Sequence, residues 1–112
     1  VADIPSDFES CNDCDGETEM FLASIYYNCF CLYDDFGISG LPGSHPQSWY
    51  GKRAYDNYGK AASCGFYFAM YRQAQFLLAG DVVPRDYGRA RALYNQCKNH
   101  IDTSVYRLGE EF

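Results

Sequence analysis

From Asp86 onward the apolar and small residues fall at Ala90, Leu93, Tyr94 and Cys97, spaced four, seven, eight and eleven positions on, which lays them along one face of a helix. Asp86 is a good cap for that helix, and Arg85, Arg89 and Arg91 lie off its apolar stripe. Upstream, a second helix is predicted from about Phe66 to Ala79, with Met70, Ala74, Leu77 and Leu78 on one side. Gly80-Asp81 followed by Pro84 supplies the stop and turn between them. The pattern therefore predicts an antiparallel helical hairpin.

The pattern recurs. In "SVYRLGEEF" the residues Ser104, Tyr106, Leu108 and Gly109 stand where "AMYRQAQFL" has Ala69, Tyr71, Gln73 and Ala74, an offset of 35. In "KRAYDNYGKAASCG" the residues Ala54, Tyr58 and Ala61 lie 36 positions before Ala90, Tyr94 and Cys97. A period near 35 carried by two different helices is the mark of stacked helix-turn-helix repeats, which share a core because one hairpin cannot bury its own apolar face.

The residues with this period resemble the Sel1-like repeat, an alpha-solenoid module. Ala69, Tyr71, Gly80, Val83, Asp86, Ala90 and Tyr94 match its pattern, as do Lys60, Ala61, Ala62 and Gly65 before them and Leu108 and Gly109 after. The likeness covers most of residues 50–112 and departs at Gln73 and Val82, where the family prefers Leu and Gly. Placing Leu22, Ala23 and Tyr26 on the corresponding first helix leaves 15 extra residues inside the first hairpin, within "CFCLYDDFGISGLPGSHPQSWY". The resemblance implies an all-α fold: a short alpha-solenoid of about two and a half repeats in a single domain, residues 1–112. Its parts are an acidic segment 1–16, a first repeat 17–65 with a long inserted loop at about 30–49, a second repeat 66–99, and the start of a truncated third at 104–112.

Composition refines this picture. The 112 residues are 47% hydrophobic and 18% aromatic, enough for one compact core. No apolar run approaches the roughly 20 residues of a membrane span, and the first residue, Val1, fits a processed chain. Net charge is −6, with nine acids and no Lys or Arg in residues 1–51 against nine bases and six acids in residues 52–112. Such a dipolar chain is a poor match for nucleic acid and a better one for a protein with a basic surface.

Six cysteines in so short a chain favour disulfides and a periplasmic or secreted address. On the repeat model Cys97 returns beside Cys64, so these two would pair, and Cys11, Cys14, Cys29 and Cys31 would pair within the N-terminal repeat. The same four could be drawn as a zinc site, but the Cys29–Cys31 spacing is a poor half-site, and no strand precedes the Cys11–Cys14 pair as redox chemistry would require. Metal and cofactor are not expected. His45 and His100 have no motif around them, and Gly37, Gly40 and Gly43 lack the Lys-Ser or Lys-Thr of a phosphate loop.

The insertion is rich in Gly, Pro and Ser yet carries Phe30, Tyr33, Phe36, Leu41 and Trp49, a composition suited either to recognition or to capping the open end of the solenoid. Tyr33, Asp34, Asp35, Phe36 and Trp49 are the expected partner-binding residues, aromatic anchors flanked by negative charge. The resemblance implies a protein-binding, non-enzymatic role, and among small exported proteins of this build a periplasmic inhibitor of the immunity-protein type, which neutralises a type VI secretion effector. The alternative is a small secreted enzyme or toxin using His45 with Asp34 or Asp35.

Overall fold

The structure, a computed structural model, describes residues 16–101. Four α-helices are present among them: α1 (Glu17–Cys31), α2 (Gln47–Ser63), α3 (Tyr67–Ala79) and α4 (Tyr87–Cys97). The fold is all-α, and no helix in this span is long and apolar enough to cross a membrane.

Local chemistry explains where the helices start and stop. Glu17 and Glu19 sit in the first turn of α1, where the helix dipole favours negative charge. At the end of α2, Gly65 takes φ 97°, Phe66 N–H donates to Ala61 O at 3.2 Å and Gly65 N–H to Ala62 O at 3.0 Å, a Schellman closure that reverses the chain. Gly80, at φ 70°, ends α3 and donates to Phe76 O. Asp86 then caps α4 by accepting from Arg89 N–H at 3.0 Å. The hairpin predicted from the apolar spacing is formed by α3 and α4, within a residue of its expected ends.

The most extensive packing joins α1 to α2 and α3 to α4, and α2 against α3 connects the pairs. Small side chains let the helices approach: Ala23, Ala54, Ala61, Ala69, Ala74 and Ala90 are fully buried. Phe76 is the hub, its ring 5.9 Å from that of Tyr27, 5.8 Å from Phe30 and 6.0 Å from Tyr55, in α1 and α2. Beside it the Arg72 guanidinium lies over the rings of Tyr27 and Phe68 and donates to Tyr27 Oη at 3.0 Å and Gln75 Oε1 at 2.8 Å.

Among the described residues the expected disulfide staples are not made. Cys97 is a free, fully buried thiol that donates to Tyr94 O at 3.5 Å, so the Cys64–Cys97 bridge is absent. Cys64 instead stands with Phe66 against Gly16, where an added Cβ would lie 3.1 Å from the Cys64 Cβ and 2.7 Å from the Phe66 ring. Cys29 and Cys31 are also free thiols. Two residues apart on a helix they project roughly 200° apart, one buried and one exposed, which rules out both a shared bridge and a common chelate. Cys11 and Cys14, like the segment 104–112, lie outside the described residues.

Burial also sets the response to alkali. It raises the Tyr27 hydroxyl from 10 to about 12, assisted by a hydrogen bond with Cys31 and opposed by Arg72, and it raises Tyr58 in the same direction. Burial pushes the thiols of Cys29 and Cys97 above their ordinary 9. The folded chain keeps protons that the unfolded chain sheds, so this stabilisation is whole below pH 9 and is lost as pH climbs toward 12. Urea midpoints should be level from pH 7 to 8.5 and fall steadily above it; a midpoint that rises between pH 9 and 11 would contradict the assignment.

Candidate functional site

The α1–α2 connection, residues 32–46, is the long loop predicted at about 30–49, and it is braced from within. Phe36 N–H donates to Leu32 O and Leu32 N–H to Asn28 O, carrying the turn beyond α1. Gly37, at φ 63°, then swings the chain so that Ile38 plunges into the core with no exposure. A single 3-10 turn, Ile38–Gly40, follows. The Tyr33 hydroxyl donates to His45 O at 2.7 Å, and Gln47 Nε2 donates to Phe30 O at 2.8 Å, tying both ends of the loop together.

The five expected partner-binding residues separate into two groups. Tyr33 and Trp49 are half-buried and serve the loop itself. The Tyr33 ring leans on Tyr50 at 6.0 Å, and Trp49 packs against Tyr26 at 5.8 Å and Tyr50 at 5.0 Å. The His45 ring lies flat on Trp49, 3.7 Å away at 10°, and the Arg53 guanidinium sits over the same indole at 4.4 Å. Asp34, Asp35 and Phe36 form the exposed tip, with 52% of Phe36 in solvent and Leu41 exposed nearby in the same loop. The sequence reading missed Ile38, the buried plug that decides which way the tip faces. His100, the other histidine, stacks on Tyr67 at 3.9 Å and 7°.

Trp49 also begins a groove of about 370 Å³ along the outer side of α2, lined by Trp49, Lys52, Arg53, Asp56, Asn57 and Lys60. Lys52 Nζ pairs with Asp56 Oδ1 at 2.7 Å. Asn57 is 3% exposed; its Nδ2 donates to Arg53 O at 2.9 Å, while its Oδ1 is buried and has no hydrogen-bond partner. The three- and four-residue spacing of Trp49, Arg53, Asn57 and Lys60 marked one helix face, and this was the signal available for the groove.

No protein-family model, curated protein or solved structure matches this chain. The Sel1-like reading therefore stands on the residues quoted for it.

Proposed function

We propose that this chain is a protein-binding module whose contact surface is the tip of the 32–46 loop. The observation that carries the reading is an exposed aromatic, Phe36, directly beside two exposed carboxylates, Asp34 and Asp35, on a loop held rigid by the Tyr33–His45 and Gln47–Phe30 hydrogen bonds. A rigid tip of this kind binds without a large ordering cost, and it fits a partner with an apolar pocket rimmed by basic residues.

The finer architecture, a short solenoid of Sel1-like repeats, draws support from burial at matched positions. Ala54 and Ala61 share their complete burial with Ala90 and Cys97, 36 residues on, and Ala23 shares it with Ala74. The narrower role, a periplasmic inhibitor of a secreted effector enzyme, draws on the family resemblance and the charge layout. The exported address draws on the count of six cysteines, although Cys97 is a free thiol.

Binding kinetics against a partner recovered by co-purification test the reading. Changing Asp34 and Asp35 together to Asn should slow association by up to about tenfold at low salt and flatten its salt dependence. Phe36→Ala should speed dissociation by about tenfold with association little changed. Tyr33→Phe, which removes the brace to His45 but no contact, should act more weakly than Phe36→Ala. Unchanged rates for all three variants would end the proposal.

A further inference from the structure

Helix α1 is apolar on two sides. Leu22, Ala23, Tyr26 and Cys29 are buried in the core, while Phe21, Ile25, Asn28 and Leu32 follow one another at intervals of four, three and four positions. At about 100° per residue these four lie within roughly 60° of one another on the side away from the core, with the spacing of a seam that receives a second helix. Phe21 is 64% exposed, the most of the large apolar side chains described, Asn28 is exposed, and Ile25 and Leu32 are half-buried. The row does not stop with α1. Leu32 N–H donates to Asn28 O at 2.9 Å and Phe36 N–H to Leu32 O at 2.8 Å, so one further turn of the α type sets the exposed Phe36 next in line. Single exposed apolar residues are ordinary on a surface, but a row running about 22 Å from Phe21 to Phe36 calls for a cover.

We propose that an amphipathic helix of the partner protein lies along this row, its apolar stripe on Phe21, Ile25, Leu32 and Phe36 and its flanks carrying Lys and Arg. The inference rests on the loop-tip reading and deepens it, since the hole between apolar side chains one turn apart on such a helix is the pocket that Phe36 enters. Asn28, the polar member of the row, meets a polar residue of that helix and so sets the register. Charge decides among the occupants. Residues 1–51 contain no Lys or Arg, and the exposed Asp34 and Asp35 stand at the Phe36 end of the row. A second copy that laid its own α1 there would set acid against acid with no base on either side. The chain's own N-terminal segment is no better suited, because its charged residues are Asp3, Asp7, Glu9, Asp13 and Asp15. A basic helix satisfies the apolar row and the charge together.

Fluorescence anisotropy on the full chain tests this with three labelled synthetic peptides. One is a Leu–Lys peptide with its leucines at three- and four-residue spacing, one has the same composition with that spacing scrambled, and one is a Leu–Glu peptide of the first pattern. The patterned Leu–Lys peptide should bind saturably at low salt, and the other two at least about tenfold more weakly. Phe21→Ala and Phe36→Ala should each weaken its binding about tenfold. Phe21→Lys, which also sets a like charge against the peptide, should weaken it further. Circular dichroism melts establish that each variant is folded, and Phe21→Lys carries the comparison should Phe21→Ala fail to fold. A loss with Phe36→Ala and none with either Phe21 variant would overturn the α1 row while leaving the loop-tip reading in place. A loss at Phe21 with none at Phe36 would overturn both, since tip and helix would no longer form one surface. No saturable binding, or equal binding of the scrambled or acidic peptide, would overturn the proposal. So would tighter binding after Phe8→Ser, which would make the N-terminal segment the occupant, or self-association abolished by Phe21→Ala, which would make it a second copy whose α4 bears Arg89 and Arg91.

Discussion

Phe76→Ala should destabilise the chain by about 3–5 kcal/mol, the range for emptying an aromatic site that cannot collapse. Phe76 is 4% exposed and touches rings from both other helices of the central seam: Tyr27 and Phe30 in α1 and Tyr55 in α2. These neighbours are themselves fixed by Arg72, by the hydrogen bonds of the loop and by α2 packing, so little can move in to fill the space. Small domains hold only about 5–15 kcal/mol in total, so this one truncation removes a large share. In thermal terms the melting temperature should fall by more than about 12 °C. The loss should appear as one cooperative transition at a lower temperature, because Phe76 joins the two hairpins rather than belonging to either. Phe76→Leu, which keeps most of the volume, should cost clearly less. A loss under about 1 kcal/mol for Phe76→Ala would mean that the seam is not where the stability lies.

The second large effect is expected at Gly51, where a small residue allows three elements to meet. A Cβ added there would lie 2.7 Å from Val82 Cγ2 and 2.8 Å from Phe30 Cδ1, closer than carbon atoms approach without displacement. Val82 belongs to the α3–α4 turn and Phe30 to the end of α1, so Gly51 is the point at which the second hairpin closes over the first. Two effects oppose each other on substitution. A residue other than glycine in mid-helix recovers some backbone propensity, up to about 1 kcal/mol for alanine and less for β-branched valine. Overpacking against two part-buried side chains costs about 1–3 kcal/mol, and for Gly51→Val it wins. Gly88 provides the internal control. It lies in the first turn of α4, where an added Cβ meets only Asp86 Oδ1 at 3.8 Å, so Gly88→Ala should stabilise by up to about 1 kcal/mol. Chemical denaturation of the two variants should thus give shifts of opposite sign. A stabilised Gly51→Val would show that the close approach of the hairpins is not maintained in solution.

Much of this protein was set locally and was legible one residue at a time. Asp86 caps α4 because its carboxylate needs to reach only the Arg89 N–H three residues on, and Gly80 ends α3 because a left-handed turn is strained for residues with a side chain. The apolar spacing of Ala90 and Cys97, or of Ala74 and Leu77, translated directly into buried faces because helical pitch is the same wherever the helix sits. The Gly, Pro and Ser content of residues 32–46 likewise marked the chain between α1 and α2 as a loop. What the sequence could not determine was everything that depends on two distant segments meeting. Ile38 and Phe36 lie two positions apart in one loop, yet one is fully buried and the other half exposed, and only the fold of the loop onto the α1–α2 pair separates them. The bridge drawn between Cys97 and Cys64 is absent because, although Cys97 is buried as its spacing implied, Cys64 packs with Phe66 against Gly16, a contact that depends on where the start of α1 lies. Asn57, a polar residue in mid-helix, is 3% exposed only because of what packs beside α2. Helix pitch and caps are short-range properties of the chain, whereas the direction a side chain finally faces is settled by which neighbour fills the space beside it, and that neighbour, as with Arg72 and Tyr27, can stand 45 residues away.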